Sequence, residues 1–318
     1  MAVNMRKVAI VGCGHAGSAA SFALMQSGLF SEMVLIDSLA QKAERTALDL
    51  SHGISFAKPM NIYAGGYDDL ADAGIIILAA SEHRSKGDSR MDFIRRNVSL
   101  QKSIIPEIAA RNTEAIFLIV SNPVDILTYS ALKFIEIPES RIIGIGTVLD
   151  TARLKYLLGK KLGVDARNVH GFIVGEHGNS EVPIWSSANV SGVPIRSFIE
   201  MRGFQDSDKI LDEVFEEVRK SANEISSKKD DTFFGVAMAV RRLCEAIVRD
   251  EKSVLSVSSL MYGAFDIDGI ALSMPAVIGA AGVECLVPVD MSEEELDEIR
   301  KSAATVKSIV DDVLGEAR

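Results

Sequence analysis

Cysteine is scarce. The 318 residues hold three, Cys13, Cys244 and Cys285, far apart in the chain. No cysteine or histidine cluster has metal-ligand spacing and no disulfide framework is visible, so no metal site is expected and all three read as reduced thiols used for packing. Basic charge is also short. Lys and Arg number 34 against 44 Asp and Glu, a formal net charge of −10, which argues against a general affinity for nucleic acid or an anionic membrane surface. No apolar run approaches the ~20 residues that cross a bilayer; runs such as "GIIILAA" are strand-length. The opening "MAVNMRKVAIVG" has too short an apolar part for a secretory signal, so the expected compartment is the cytoplasm. What the chain does have is core: 47% apolar and 25% charged residues describe a globular protein long enough for two domains.

The first half alternates apolar runs with helical patterns. "KVAIVG" (7–12), "MVLID" (33–37), "IIILAA" (75–80) and "AIFLIV" (115–120) are apolar on both faces, as strands of a parallel sheet covered on each side must be. Helical patterns at 16–27, 39–52 and 92–111 lie between them, the rhythm of a doubly wound α/β fold. Past a boundary near 145–150 the pattern changes. A helix is predicted at 150–162, strands near 169–174, 181–191 and 254–260, and a long helical stretch at 206–248 interrupted around "SKKDD". A final helix follows Ser292, a candidate cap ahead of Glu293, Glu294 and Glu295. The fold expected is a Rossmann doubly wound parallel sheet over 1–147, with an α+β substrate domain over 148–318.

Gly12-Cys13-Gly14-His15-Ala16-Gly17 is a G-x-G-x-x-G that follows a strand and opens a helix, and Asp37 ends the next strand 20 residues after Gly17. That combination predicts a dinucleotide site. Gly12 permits the tight turn, Gly14 lets backbone approach a pyrophosphate at the helix N-terminus, and Gly17 allows close helix–strand packing. Asp37 can accept both adenosine ribose hydroxyls and would repel a 2′-phosphate, so NAD is favoured over NADP. His15 reads as exposed filler.

Three further segments carry polar groups where a bland core would not. "IVSNPVDI" puts Asn122 directly after an apolar strand, where open α/β sheets bind ligands. "TVLDTARLKYLL" puts Asp150 and Arg153 on one helix face. "HGFIVGEHGNSEVP" presents His177 between glycines. With the glycine loop, "SNPVD", "DTAR" and "GEHGNS" stand in the order and spacing of the L-lactate/malate dehydrogenase family, which the chain resembles from end to end. The resemblance implies an NAD-dependent L-2-hydroxy-acid dehydrogenase. In it His177 is the acid–base residue and Asp150 fixes its imidazole. Arg153 forks onto the substrate carboxylate, Arg90 stabilises charge on the carbonyl oxygen, and Asn122 bonds near nicotinamide and substrate.

The resemblance also makes "LAASEHRSKGDSR" (78–90) a lid that carries Arg90 into the site. In the family, the residue six before the lid arginine reads the substrate side chain: glutamine in lactate enzymes, arginine in malate enzymes. Arg84 therefore suggests malate. Trp185, Thr232 (placed to narrow the pocket) and Asp88 (placed to neutralise Arg84) resemble the lactate branch, and lactate is the favoured reading. His170 matches a histidine that binds fructose bisphosphate in bacterial relatives, but Lys155 stands where an arginine would be, which puts that activation in doubt. The resemblance implies a homotetramer, with a dimer as the alternative. Two rival classes are disfavoured by the residues: a non-catalytic NAD sensor would have lost one of His177, Asp150, Arg153 and Arg90, and a related glycosidase would need metal-ligand cysteine or histidine placements.

Overall fold

Runs apolar on both faces can satisfy their backbone only inside a sheet covered on each side. In the computed structural model, which describes residues 3–82, 87–228 and 232–315 (without side chains over 222–228), they do so. Strands β1 (Asn4–Val11), β2 (Glu32–Ile36), β3 (Asn61–Ala64), β4 (Ala73–Leu78), β5 (Ile116–Ile119) and β6 (Ile142–Gly144) form a parallel sheet in the order β3-β2-β1-β4-β5-β6. Val8 pairs with both Met33 and Ile75, and Ile75 with Ile116. All six residues of β4 are buried, and burying each Ile or Leu side chain is worth roughly 1.5–3 kcal/mol. Helices α1 (His15–Ser27), α2 (Ala40–His52), α3 (Arg90–Ala109) and α4 (Val124–Phe134) connect the strands. The winding reverses between β1 and β4, so their C-terminal ends open into a crevice.

The rest of the chain is mixed. Helix α5 (Val148–Leu162) leads into antiparallel β7 (Val169–Gly175), β8 (Glu181–Val190) and β9 (Val193–Pro194). Three helices follow, α6 (Ile195–Met201), α7 (Ser207–Lys228) and α8 (Phe234–Val248). Strands β10 (Ser253–Tyr262), β11 (Asp268–Gly279) and β12 (Gly282–Leu286) and helix α9 (Glu293–Gly315) complete it. β10 pairs with β6 through Ser258 and Gly144, so one twelve-stranded sheet runs through both halves. The main core joins this sheet to α8 and α9; a second, around Leu154, Leu158, Ile199 and Leu211, holds α5, α6 and α7 together. Helix α8 packs on α1, which brings the second half over the glycine loop. No described helix is long and apolar enough to cross a membrane.

The α/β expectation holds, with corrections at the element level. Asp37 lies one residue beyond β2 rather than at its end. Ser292 and Glu295 cap α9 reciprocally: the Glu295 N–H donates to Ser292 Oγ (3.2 Å) and the Ser292 N–H to Glu295 Oε2 (2.8 Å). The sequence pattern does not show β3, β6, β9, β11, β12, α4 or α6. β3 and β6 are too short to show a period. β11 contains Pro275, which lowers a strand expectation, yet the Pro275 carbonyl still accepts the Val287 N–H at 2.8 Å. Cys13 and Cys244 are buried as expected, but Cys285 is exposed on β12 and packs no core. Chain interruption falls between α7 and α8 as predicted; 229–231 lie outside the described residues.

Candidate active site

The glycine loop leaves β1 and turns back at the reversal point. Gly12 has φ +104°, and an added Cβ there would lie 2.4 Å from the Ala80 backbone nitrogen at the end of β4. An added Cβ on Gly17 would stand 1.9 Å from the Gly12 carbonyl oxygen, so loop and helix can close only around hydrogen. At Gly14 the opposite holds: no atom lies within 4 Å of the Cβ position. No side chain caps the start of α1 and no acidic residue stands in its first turn, so its free N–H groups are open to an anion. Asp37 closes the side of the loop. Its Oδ2 accepts from the Cys13 N–H (2.8 Å) and its Oδ1 from the Leu39 N–H (3.0 Å), which orients the carboxylate and leaves further lone pairs. These residues fit a dinucleotide: bare backbone for pyrophosphate, a fixed carboxylate for ribose hydroxyls. The exposed His15 ring packs 5.4 Å from that of Phe233, so half-buried Thr232, just before α8, sits beside the loop.

A second constellation forms where α5 meets the end of β7. Asp150 lies in the first turn of α5 and is 3% exposed. An isolated carboxylate buried to that extent costs several kcal/mol, so it needs partners. It has two. Arg153 Nη1 donates to its Oδ1 at 2.7 Å, and its Oδ2 lies 2.6 Å from His177 Nδ1. The pair predicted from their three-residue spacing is therefore a buried one, not a surface ion pair. Burial by itself would lower the His177 pKa; the Asp150 charge and hydrogen bond outweigh it and raise it to about 9. Burial opposes ionisation of Asp150, but His177 and Arg153 together hold its pKa below the ordinary value. Nδ1 is committed to Asp150, so Nε2 is the ring nitrogen left for chemistry.

His177 is anchored from the first half of the molecule. Asn122 follows β5, next to Ser121, whose hydroxyl donates to the Ala80 carbonyl at 2.6 Å. Three residues on, buried Asp125 accepts the His177 backbone N–H at 2.7 Å and the Ser273 hydroxyl at 3.0 Å. Ser89 caps α3, making Arg90 its first residue, and Arg90 Nη2 lies 2.5 Å from Oε1 of Glu176, the neighbour of His177. The structure thus brings Asp150, Arg153 and His177 together and sets Arg90 on Glu176, next to His177 in the chain; neither Arg90 nor Asn122, three residues before Asp125, lines the cavity those three share. Asp88 accepts from Arg96 at 2.6 Å; Arg84 lies outside the described residues.

Asp150, Arg153, His177 and Glu181 line a cavity of about 350 Å³, completed by Gly178, Asn179 and one face of α7. A larger depression of about 560 Å³ on α7 is lined by that helix alone and carries none of these groups. Asp150, His177 and Glu181 present ligand-type atoms within 4.8 Å of one another. Their lone pairs are poorly placed for a cation, because Arg153 and the imidazole already occupy Asp150. Sequence pattern does not single out Asp125, Glu176 or Glu181. The available signal is two carboxylates flanking one histidine in "GEHGNSE", just where an apolar strand ends.

Residues 6–144 match the lactate/malate dehydrogenase NAD binding domain, and residues 147–317 match the alpha/beta C-terminal domain of the same family. The L-lactate dehydrogenase of Acetivibrio thermocellus is 44% identical over 306 residues, 96% of each chain. L-lactate dehydrogenase 1 of Clostridium acetobutylicum is 40% identical over 307 residues, 96% of this chain and 98% of that one. A lactate dehydrogenase from a Medee basin deep-sea metagenome superposes with a TM-score of 0.94 at 37% identity, covering 98% of this chain and 99% of that one. The minor L-lactate dehydrogenase of Enterococcus mundtii gives 0.93 at 35% identity, covering 97% and 98%. With both halves matched in order along nearly the whole chain, this protein belongs to the lactate/malate dehydrogenase family.

Proposed function

We propose that the chain catalyses reduction of pyruvate to L-lactate with NADH, and the reverse. The observation that carries this reading is the line Arg153–Asp150–His177, joined at 2.7 and 2.6 Å along one cavity. Bound NADH supplies a hydride to the keto carbon. His177, cationic below about pH 9, gives its Nε2 proton to the carbonyl oxygen and recovers it in the oxidation. Asp150 keeps the imidazole oriented and stabilises its charged form. The fork of Arg153 takes the substrate carboxylate while one of its nitrogens stays on Asp150. Arg90, released from Glu176, places its charge on the carbonyl oxygen. Asn122 would hydrogen-bond near the nicotinamide and the substrate, and Thr232 would narrow the pocket. Gly12, Gly14, Gly17 and Asp37 hold the dinucleotide. On this reading 1–147 carries the cofactor and 148–318 the chemistry, in a cytoplasmic homotetramer; exposed Leu39 just before α2, Leu48 on it and Phe56 beyond it support self-association.

Asp37 gives the cofactor test. NADH should exceed NADPH at least tenfold in kcat/KM, about 1.4 kcal/mol, because a 2′-phosphate would meet a carboxylate fixed by two backbone N–H groups. Asp37→Ser should narrow that gap. Equal efficiency with both cofactors in the wild type would remove the assigned role of Asp37.

The keto acid decides between lactate and malate. Kinetics with pyruvate and oxaloacetate should favour pyruvate in the wild type, and Arg84→Gln should chiefly remove residual oxaloacetate turnover. An unpaired guanidinium facing a methyl group in a dry pocket would cost several kcal/mol. A wild type that prefers oxaloacetate about a hundredfold, roughly 2.8 kcal/mol, with the preference inverted in Arg84→Gln, would make malate the substrate.

A further inference from the structure

Glu181 opens β8 with its carboxyl turned into the cavity that holds the His177–Asp150 pair. It is 9% exposed, and its carboxyl lies within 4.8 Å of ligand-type atoms of both residues. Yet among the described residues its carboxyl takes part in no hydrogen bond, whereas those of Asp125, Asp150 and Glu176 nearby are each bonded to at least two donors. A carboxyl with no protein partner that opens into a substrate cavity is free to hydrogen-bond a ligand there.

We propose that Glu181 is a substrate-binding carboxyl of this cavity: it must carry its proton for a keto-acid carboxylate to bind, and it then donates a hydrogen bond to that substrate. The proposal rests on the dehydrogenase reading above. The groups that face Glu181 are Asp150 and Arg153 from α5, His177 after β7, and Glu216, Arg219 and Lys220 from α7. Burial, followed by the negative charge of Asp150, pushes Glu181 up to about 8; His177, Arg153 and Arg219 oppose this. At neutral pH the cavity therefore offers an incoming anion the cationic His177, Arg153, Arg219 and Lys220 against the carboxylates of Asp150 and Glu216, and a neutral O–H donor on Glu181. Once Glu181 ionises, a third carboxylate lowers the positive charge that the cavity offers and the donor is lost. The same ionisation favours the proton on His177, because an anion stands beside the imidazole.

The consequence is a two-proton requirement for keto-acid capture. In the wild type, kcat/KM for pyruvate and the affinity of the NADH-loaded enzyme for oxamate, an unreactive monocarboxylate of the same shape, should both fall above about pH 8 with the steepness of two ionisations. Glu181→Gln keeps a hydrogen-bond donor and cannot ionise. In that variant both profiles should fall with one ionisation, that of His177. The acid limb of lactate oxidation should also move to lower pH, because the imidazole has lost an anionic neighbour. A one-proton fall in the wild type, or profiles unchanged by Glu181→Gln, would overturn the proposal. The wild-type oxamate profile stands by itself if the variant does not fold. Wild-type turnover of pyruvate at about pH 6.5, where Glu181 is protonated, checks the dehydrogenase reading separately: its absence counts against that reading and not against Glu181.

Discussion

His177→Asn is expected to lower kcat for pyruvate reduction by about 10²–10⁴-fold, the usual worth of a positioned general acid. NADH affinity should stay within about twofold, because the imidazole acts on the keto acid and the glycine loop is built separately. Asparagine keeps the backbone N–H that Asp125 holds and removes only the titrating ring. Asp150→Asn should be less severe and should act through pH. The Asp150 carboxylate is what raises His177 to about 9 against the effect of burial. Without that anion the imidazolium loses its proton at lower pH, so the high-pH fall in pyruvate reduction moves down. The rise in lactate oxidation, which needs neutral imidazole, moves down with it. Initial rates across pH in both directions read the shift. A His177→Asn enzyme with most of its turnover would rule out the mechanism. An Asp150→Asn profile displaced to higher pH would mean that the Asp150 charge does not hold the proton on the imidazole.

Arg153→Lys should raise KM for pyruvate about a hundredfold, roughly 2.8 kcal/mol, with a smaller loss in kcat. One guanidinium nitrogen already lies 2.7 Å from Asp150, and the rest of the planar fork is what the substrate carboxylate would take. An ammonium keeps the charge and can keep the ion pair with Asp150, but it lacks the geometry to serve two carboxylates as a fork does. The conservative replacement therefore separates substrate capture from support of Asp150. If Arg153 served only Asp150, the pH profile of Arg153→Lys would move while KM stayed near the wild-type value. The converse result, a large KM effect on an unmoved profile, is expected.

Much of this site is legible in the residue order alone. The glycine spacing, Asp37 after an apolar run, and the Asp150–Arg153 interval are local features, set by the reach of a turn, a strand and one helical turn. His177 stands out because a histidine between glycines follows a buried run. The same local logic locates β1, β2, β4 and β5, since strands covered on both faces must be apolar throughout. It misses β11, where Pro275 contradicts the strand pattern and pairing with β10 overrides it. It also places Cys285 in a core that the edge strand β12 does not provide.

What local pattern could not decide is which carboxylates meet the histidine, and in what state. Asp125 lies 52 residues from His177 and Arg90 lies 86 from Glu176; a one-dimensional reading has no measure of such distances. Nor can it tell that Asp150 is satisfied by two partners while Glu181, four residues from His177, is bonded to none among the described residues. Protonation follows from burial and neighbouring charge, and both arise only when α5, the end of β7 and the start of β8 close around one cavity. The residue types and their order determined the family and the chemistry available to it; folding decided which carboxyl holds the imidazole and which is left facing the substrate.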